Sequence, residues 1–306
     1  MPAQGVHEFA AYSEAFSLGL SEVYEDRLKQ HERSYTAFLK EETAKRWFDT
    51  DWSVSGLGAT PEKAIGAAFS TDKRLKSATK QYALTAYALG TLIEYEAMRW
   101  EIYGIFDGLP QELADSATDR YNIVGHSILN NSFSAPSSAY QIYNGENMLS
   151  TAHVRLDGGT WSNKSTDNVG LSYLGIQQGK TDLAKTVNER GRFVKLQAKQ
   201  LIVSEDQRWI AETIMGSIYR PDNANMNKNT VKGEFSIYAS PYLTNANYWW
   251  LQSNKGDIRI KMRLGDKPKL KRDQDIRNWT MVMVSYCSFG VAVFDSKGLW
   301  GSTGGG

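Results

Sequence analysis

The sequence predicts an α+β fold on three observations. Leu113, Ala117, Tyr121, Val124 and Ile128 recur at spacings of four, four, three and four, which draws one apolar stripe along a helix. Gln200-Leu201-Ile202-Val203 followed by SEDQRWIAETIMGS reads as a short buried strand feeding a helix. The chain then closes on WTMVMVSYCSFGVAVFDSKGLWGS, an alternating run longer than an ordinary strand.

From the N-terminus, residues 1–39 combine weak helical periodicity with mixed charge (SEVYEDRLKQHER) and show no core of their own, so they read as an arm. From Lys45 the pattern KRWFDTDWSVSG mixes aromatic and β-branched residues with charges and favours an extended strand. Gly56, Gly58 and Pro61 end it, PEKAIGAAF follows as a turn of possible helix, and STDKRLKSATKQYALTAYALG returns as a second strand. Residues 40–90 therefore predict a long two-stranded hairpin with a Gly-rich tip. An isolated ribbon of that kind is marginal in water, so it needs a partner.

Asp107-Gly108-Leu109-Pro110 opens the long helix, with proline in the first turn and Glu112 where a negative charge suits the helix dipole. It runs to about Ser132, a rod of roughly 34 Å, and Pro136 prevents continuation. Residues 140–165 are rich in Asn, Gly and Ser and predict short strands and loops. Leu171 to Arg190 is a weaker helix closed by Gly191. Ser204 and Gln207 have the spacing of a capping box for the helix that follows. Further strands are expected in EFSIYAS, NYWWLQS and DIRIKMRLG, and a glycine tail, 303–306, ends the chain.

Composition narrows the function. A chain of 306 residues with 41% hydrophobic content is long enough for one large domain or two ordinary ones. With 35 Lys and Arg against 34 Asp and Glu, no global charge draws it to nucleic acid or acidic membranes. No stretch approaches the roughly 18 apolar residues of a membrane span. Met1 to Leu20 lacks the pattern of a signal peptide, so a soluble protein made in the cytoplasm is expected. The single cysteine, Cys287, sits in an apolar alternating run and reads as a small buried hydrophobe.

Chemistry-bearing patterns are sparse. His7, His31, His126 and His153 stand at no metal-ligand spacing, and P-loop, GxGxxG and GxSxG patterns are absent, so no metal and no cofactor are predicted. His153 follows Ser150 and Thr151, but nothing marks an activated nucleophile, and a hydrogen-bonded loop histidine is the simpler reading. The acid pairs Asp49 with Asp51 and Glu41 with Glu42 suit solubility of an exposed arm better than acid-base work. Trp47, Trp52, Trp249 and Trp250 suggest either a stacking surface for sugars or bases, or anchors of a protein interface. Trp47 and Trp52 lie on the hairpin that needs a partner, which favours the interface. Two basic clusters, Lys73, Arg74, Lys76 and Lys80, and Lys267, Lys269, Lys271 and Arg272, read as solvated faces or subunit contacts.

The order of arm, hairpin, long helix, strand-helix domain and returning strand resembles the major capsid proteins of tailed bacteriophages with the Hong Kong 97-type fold. More narrowly it resembles the Mu-like head subunit group. The likeness is carried by SILNNSF, by MLSTAHV followed by GGTWSN, and by KQLIVSEDQRWIAETIMGS, YASPYLTNANYWWL and GVAVFDSKGLWGS, in that order over residues 88–302. The resemblance implies an extended loop (E-loop) at 40–90 lying across a neighbouring subunit. It implies a peripheral domain from 91–172 and 273–302 with a spine helix at about 110–132, and an axial domain at 173–272 that meets its copies around fivefold and sixfold axes. The implied function is a major capsid protein that self-assembles, as hexamers and pentamers, into the shell around a double-stranded DNA genome. The implied location is the virion, after assembly in the host cytoplasm.

Expected partners are further copies of the chain, a portal, a separate scaffolding protein because no long N-terminal scaffolding segment is present, a decoration protein, and packaged DNA touched non-specifically; no membrane is expected. An encapsulin-type compartment shell shares the fold and stays open as an alternative, with a glycan-binding or hydrolytic protein behind it. A Lys-Asn cross-link of the sort some family members form cannot be aligned here. Candidate inter-subunit residues are Trp47 and Trp52, the basic Arg74, Lys76 and Lys80, and the acidic Glu94, Glu96, Glu101, Glu112 and Asp115. Segment 70–90 holds four basic residues against one acid, and segment 94–119 holds seven acids against one arginine, so the two would attract between chains.

Overall fold

The structure, a computed structural model, describes residues 19–94, 100, 108–222, 225–275, 277 and 279–305. In chain order the elements are helix α1 (19–30), strands β1 (Lys40–Thr43), β2 (Phe48–Val54), β3 (Lys76–Ala83) and β4 (Thr85–Glu94), and helix α2 (Leu109–Asn130). Short strands β5 (His153–Val154) and β6 (Thr160–Trp161), helix α3 (Tyr173–Ala184), strand β7 (Gln200–Ser204) and helix α4 (Arg208–Gly216) follow. The chain ends on β8 (Ser236–Ser240), β9 (Trp249–Gln252), β10 (Arg259–Leu264), β11 (Lys269–Asp275), β12 (Thr280–Asp295) and β13 (Leu299–Ser302).

Two sheets organise these elements. In the first, the 16-residue β12 pairs antiparallel with β4 and β11 along its first half and with β10 along its second, and β1 adds to β10 in parallel. The second sheet has the order β13-β9-β7-β8. β2 and β3 form a separate antiparallel ribbon from Phe48↔Ala83 to Val54↔Lys76.

Helix α2 begins with Pro110 in its first turn and buries Leu113, Ala117, Tyr121 and Ile128. Tyr121 stacks on Phe289 of β12 with ring centroids 3.9 Å apart. Because successive strand residues point to opposite faces, Ile202 of β7 joins the core shared with α2 and β12, whereas Leu201 and Val203 join a second core under α3 and α4. The tryptophan pair on β9 splits the same way. Trp250 enters the first core and Trp249 the second. Two glycines let elements of these cores approach closely. A Cβ on Gly125 would sit 2.5 Å from Tyr35 Cβ, and one on Gly179 would sit 2.7 Å from the Trp300 ring.

Several expectations need correction. The 1–39 arm is not coreless in its described part: Tyr24, Tyr35, Phe38 and Leu39 are buried, and the Tyr24 hydroxyl bonds Ser285 Oγ on β12. The free ribbon is shorter than 40–90, since β1 and β4 at its ends belong to the first sheet. The expected boundaries at 172 and 272 are also crossed: β10 and β11 pair with β12, and the last strand, β13, joins the second sheet against β9. Strand pairing over long sequence separation leaves no local trace, which is why composition did not reveal it.

Two local readings fail as well. Ser204 Oγ donates to Ala246 O and caps no helix, so the capping box is absent. Helix α3 stops at Ala184, and Gly191, at φ +72°, instead closes a tight turn by donating to Asn188 O. Residues 61–69 form a turn without a helix.

Cys287 is buried on β12, and burial pushes its thiol up to about 11. Native protein at neutral pH should therefore react with a thiol reagent orders of magnitude more slowly than urea-unfolded protein. Absorbance of a chromogenic disulfide reagent measures both rates, and rapid stoichiometric native labelling would contradict this placement.

Candidate assembly surface

The β2-β3 ribbon has a covered inner side and an exposed outer side that carries large apolar residues, set by strand period. Along β2, residues 49, 51 and 53 are partly covered, while Phe48, Thr50, Trp52 and Val54 face out. Trp52 is 64% exposed, and at the tip Leu57, Ile65 and Phe69 are also uncovered. Trp47, just before β2, is exposed too. Several large exposed apolar side chains on a ribbon with no core of its own mark an interaction surface.

The inner side is clamped to the body. Asp49 and Asp51 both reach the Arg263 guanidinium on β10, which is only 5% exposed; the Asp51 contact is 3.1 Å. These acids therefore anchor the ribbon, and the solubility role expected from sequence is not the one they serve. Glu42 of β1 pairs with Lys261 at 2.7 Å, and that bond chiefly holds its carboxyl below the usual range. Tyr82 is buried beside Ala292 and Phe294, and Arg259 donates to Trp52 O at 3.2 Å while lying over the Phe294 ring.

The basic and acidic candidates divide. The Lys80 ammonium points inward and donates to the backbone carbonyls of Gln141 and Val293, the latter at 2.8 Å. Burial without a carboxylate partner pushes it down to about 8. Lys80 is thus a structural anchor and is withdrawn from the exposed basic face. Arg74 is exposed, and so are Glu94 and Glu112. The side chain of Lys76, together with Glu96 and Glu101, lies outside the described residues.

Asp115 is already engaged within the chain. Arg27 holds it with two bonds of 2.8 and 2.9 Å, and His31 Nε2 lies 3.2 Å away. The Arg27 bonds are the main reason its carboxyl sits below the usual range. Asp119 accepts from the Tyr242 hydroxyl at 2.7 Å. With Glu112, Ser116, Arg120 and Ile123 these residues line a shallow cleft of about 380 Å³ on α2. Internal pairing leaves less free acidity on this face than the bare sequence suggests.

Catalytic readings find no geometry. His153 is fully buried, with Nδ1 2.8 Å from Glu146 Oε2, Nε2 2.9 Å from Asn163 Oδ1, and its ring stacked on Trp161. Ser150 Oγ instead accepts from the Ala152 amide. Trp249 and Trp250 are buried, with indole nitrogens on Val169 O and Ser132 Oγ, so they make no stacking surface for a glycan. No cluster of three or more His, Cys, Asp or Glu able to hold a metal occurs among the described residues. No described helix is long and apolar enough to cross a membrane.

A second exposed apolar group was not legible in the sequence. Trp209 and Ile210 on α4, with Ile218, Tyr219 and Met226 just beyond it, all face out. The marker that could have found them is a wide apolar helix face: one side (Ala211, Ile214, Met215) fills the second core and leaves Trp209 and Ile210 over.

Comparison with known proteins points one way. A family model described as phage capsid protein matches residues 77–301, well over half the chain. Among solved structures, that of Mycobacterium phage Patience aligns at TM-score 0.55 with 11% identity, covering 95% of this chain and 86% of the other. The bacteriophage JBD30 capsid aligns at 0.56 with 11% identity, covering 69% and 91%. The virus-like particle from Pyrococcus furiosus aligns at 0.51 with 10% identity, covering 92% and 97%. At such identities these likenesses describe the fold. No curated protein sequence matches the chain.

Proposed function

This chain belongs to the phage capsid protein family, and from that premise we propose that it is the repeating subunit of a closed shell around double-stranded DNA, joined to its copies through the outer side of the β2-β3 ribbon. The observation that carries the contact is the two-sidedness of the ribbon. Its inner side is clamped by Arg263, Arg259 and Lys80, while Trp47, Phe48, Trp52 and Val54 face out. Aromatic anchors of this kind carry most of the energy of protein interfaces. Arg74 on the ribbon and Glu94 and Glu112 on the body supply opposite charges at the rim, each pair worth about 0.2–1 kcal/mol and repeated by every subunit.

The two units take the places of a peripheral domain, built on the first sheet and α2, and an axial domain, built on the second sheet with α3 and α4. In this reading the exposed face around Trp209, Ile218 and Tyr219 meets its copies about the symmetry axes of hexamers and pentamers. A portal, a separate scaffolding protein and a decoration protein complete the particle, which assembles in the host cytoplasm and touches its DNA non-specifically. The role is structural, with no chemistry assigned to any residue.

An encapsulin-type compartment shell is the second reading, favoured only by the fold shared with the Pyrococcus furiosus particle. Negative-stain microscopy of the purified chain tests the shell itself. Closed particles of uniform size are expected, and a chain that stays monomeric under all assembly conditions contradicts the proposal. The contents of particles from the native source, DNA or a cargo protein, separate the two readings.

A further inference from the structure

We infer that Arg190 latches the ribbon tip to its own subunit, so that the tip must be released before it can reach a neighbour and the latch delays assembly. This regulatory step rests on the shell reading above, but its observations are separate.

The tip is organised by one carboxylate. Asp72 Oδ2 accepts from the Gly58 amide at 2.7 Å, and Oδ1 accepts from the Lys73 amide at 2.8 Å and from Arg190 at 3.0 Å. The backbone hydrogen bond from Gly58 is the main reason that the Asp72 carboxyl lies below its usual range. Arg190 also donates to Lys73 O, and Arg192 donates to Leu57 O at 3.4 Å. One loop of the body therefore grips both arms of the tip.

That loop is rigid. Asn188 Oδ1 accepts from the amides of Arg190 and Arg192, Asn188 N donates to Arg192 O, and Gly191 closes the turn. Glu189 is bolted to the end of β12 by its ion pair with Lys297, itself 3.1 Å from Asp295 and mostly buried. The gripping side is held by these bonds to the body, so release frees the gripped side.

The two ends of the ribbon differ in strength. At the root, Arg263 is enclosed and pairs with two acids, whereas at the tip the Arg190-Asp72 pair is partly open to solvent. Exposed ion pairs are weak, so the tip exchanges between parked and free states while the root stays seated. Leu57, Ile65 and Phe69 are uncovered even in the parked state, and release lets the tip carry them across to another chain. Removing the latch raises the free population by the several-fold worth of one exposed pair.

The test compares wild type with Arg190→Ala and the conservative Arg190→Lys in two measurements. Trypsin should cut the soluble chain after Lys73 about three- to fivefold faster in Arg190→Ala, because the guanidinium no longer holds that carbonyl, with Arg190→Lys between the two. Light scattering should show a lag to shell formation shortened by a similar factor, with final particles of the same size. Equal cleavage rates in all three proteins overturn the latch whether or not shells form. Shells that appear with an unchanged or longer lag in Arg190→Ala overturn its effect on assembly. A wild type that never forms shells refutes the shell reading, and the cleavage rates still decide the latch.

Discussion

Replacing residues 56–74 with an Asn-Gly turn should leave a chain that folds normally and forms no shells. The cut falls where the ribbon closes on itself: Ser55 N donates to Leu75 O at 2.9 Å, and Leu75 N to Ser55 Oγ at 2.9 Å. Asn-Gly suits the tight turn of a two-residue hairpin. Everything that seats the root survives, including Asp49 and Asp51 on Arg263, Lys80 on its two carbonyls, and Tyr82 under Phe294. What goes is the outreaching apolar tip with Leu57, Ile65 and Phe69. Thermal melting should thus stay near wild type while sedimentation shows only small species. Particles of normal size from the shortened chain would remove the tip from the assembly account.

Acid should weaken the fold through His126. The imidazole is fully buried between α2 and β8, with Nδ1 2.7 Å from Asn122 O. That carbonyl only accepts, so Nδ1 carries the proton and Nε2 must accept. The Tyr238 hydroxyl donates to Ser34 O, which leaves Ser240 Oγ, 3.0 Å away, as the donor to Nε2. A proton on Nε2 would face Ser240 and Tyr238 in a dry site, and burial lowers this histidine from 6.5 to about 4. The folded state stays neutral where the unfolded chain takes up a proton. The neutral histidine's stability is fully present above pH 6.5 and is lost as pH falls from there toward 4, by about 3 kcal/mol in all.

Most of that window lies above the range where carboxylates titrate. Urea unfolding of the unassembled chain at pH 7 and pH 5 should show a clear loss in wild type and a smaller one in His126→Gln. Equal losses in the two proteins would contradict the placement of this proton.

The α2 stripe and the β12 alternation were legible because each is a local period along one element. The ribbon was legible as an extended segment without a core. Its inner clamp was not, since Asp49 and Asp51 meet a guanidinium more than 200 residues away, as their separations of 214 and 212 show. Lys80 looked like a member of a basic face because Lys73, Arg74 and Lys76 precede it within seven residues. Strand position turns it inward while Arg74, before the strand, stays out. Trp249 and Trp250 read as a stacking surface or as interface anchors, and the covering of both faces of β9 makes them core instead. The 91–172 and 273–302 grouping missed that β10, β11 and β13 exchange sheets, because long-range pairing has no signature in composition.

Photo-crosslinking from position 52 tests the inter-subunit ribbon most directly. With Trp52→benzoylphenylalanine, the side chain stays on the outer side of β2, away from the Arg263 clamp. Irradiated shells should give covalent dimers whose linked peptides come from two chains, and irradiated dilute monomer should give none. Shells that yield only links within one chain would contradict the account.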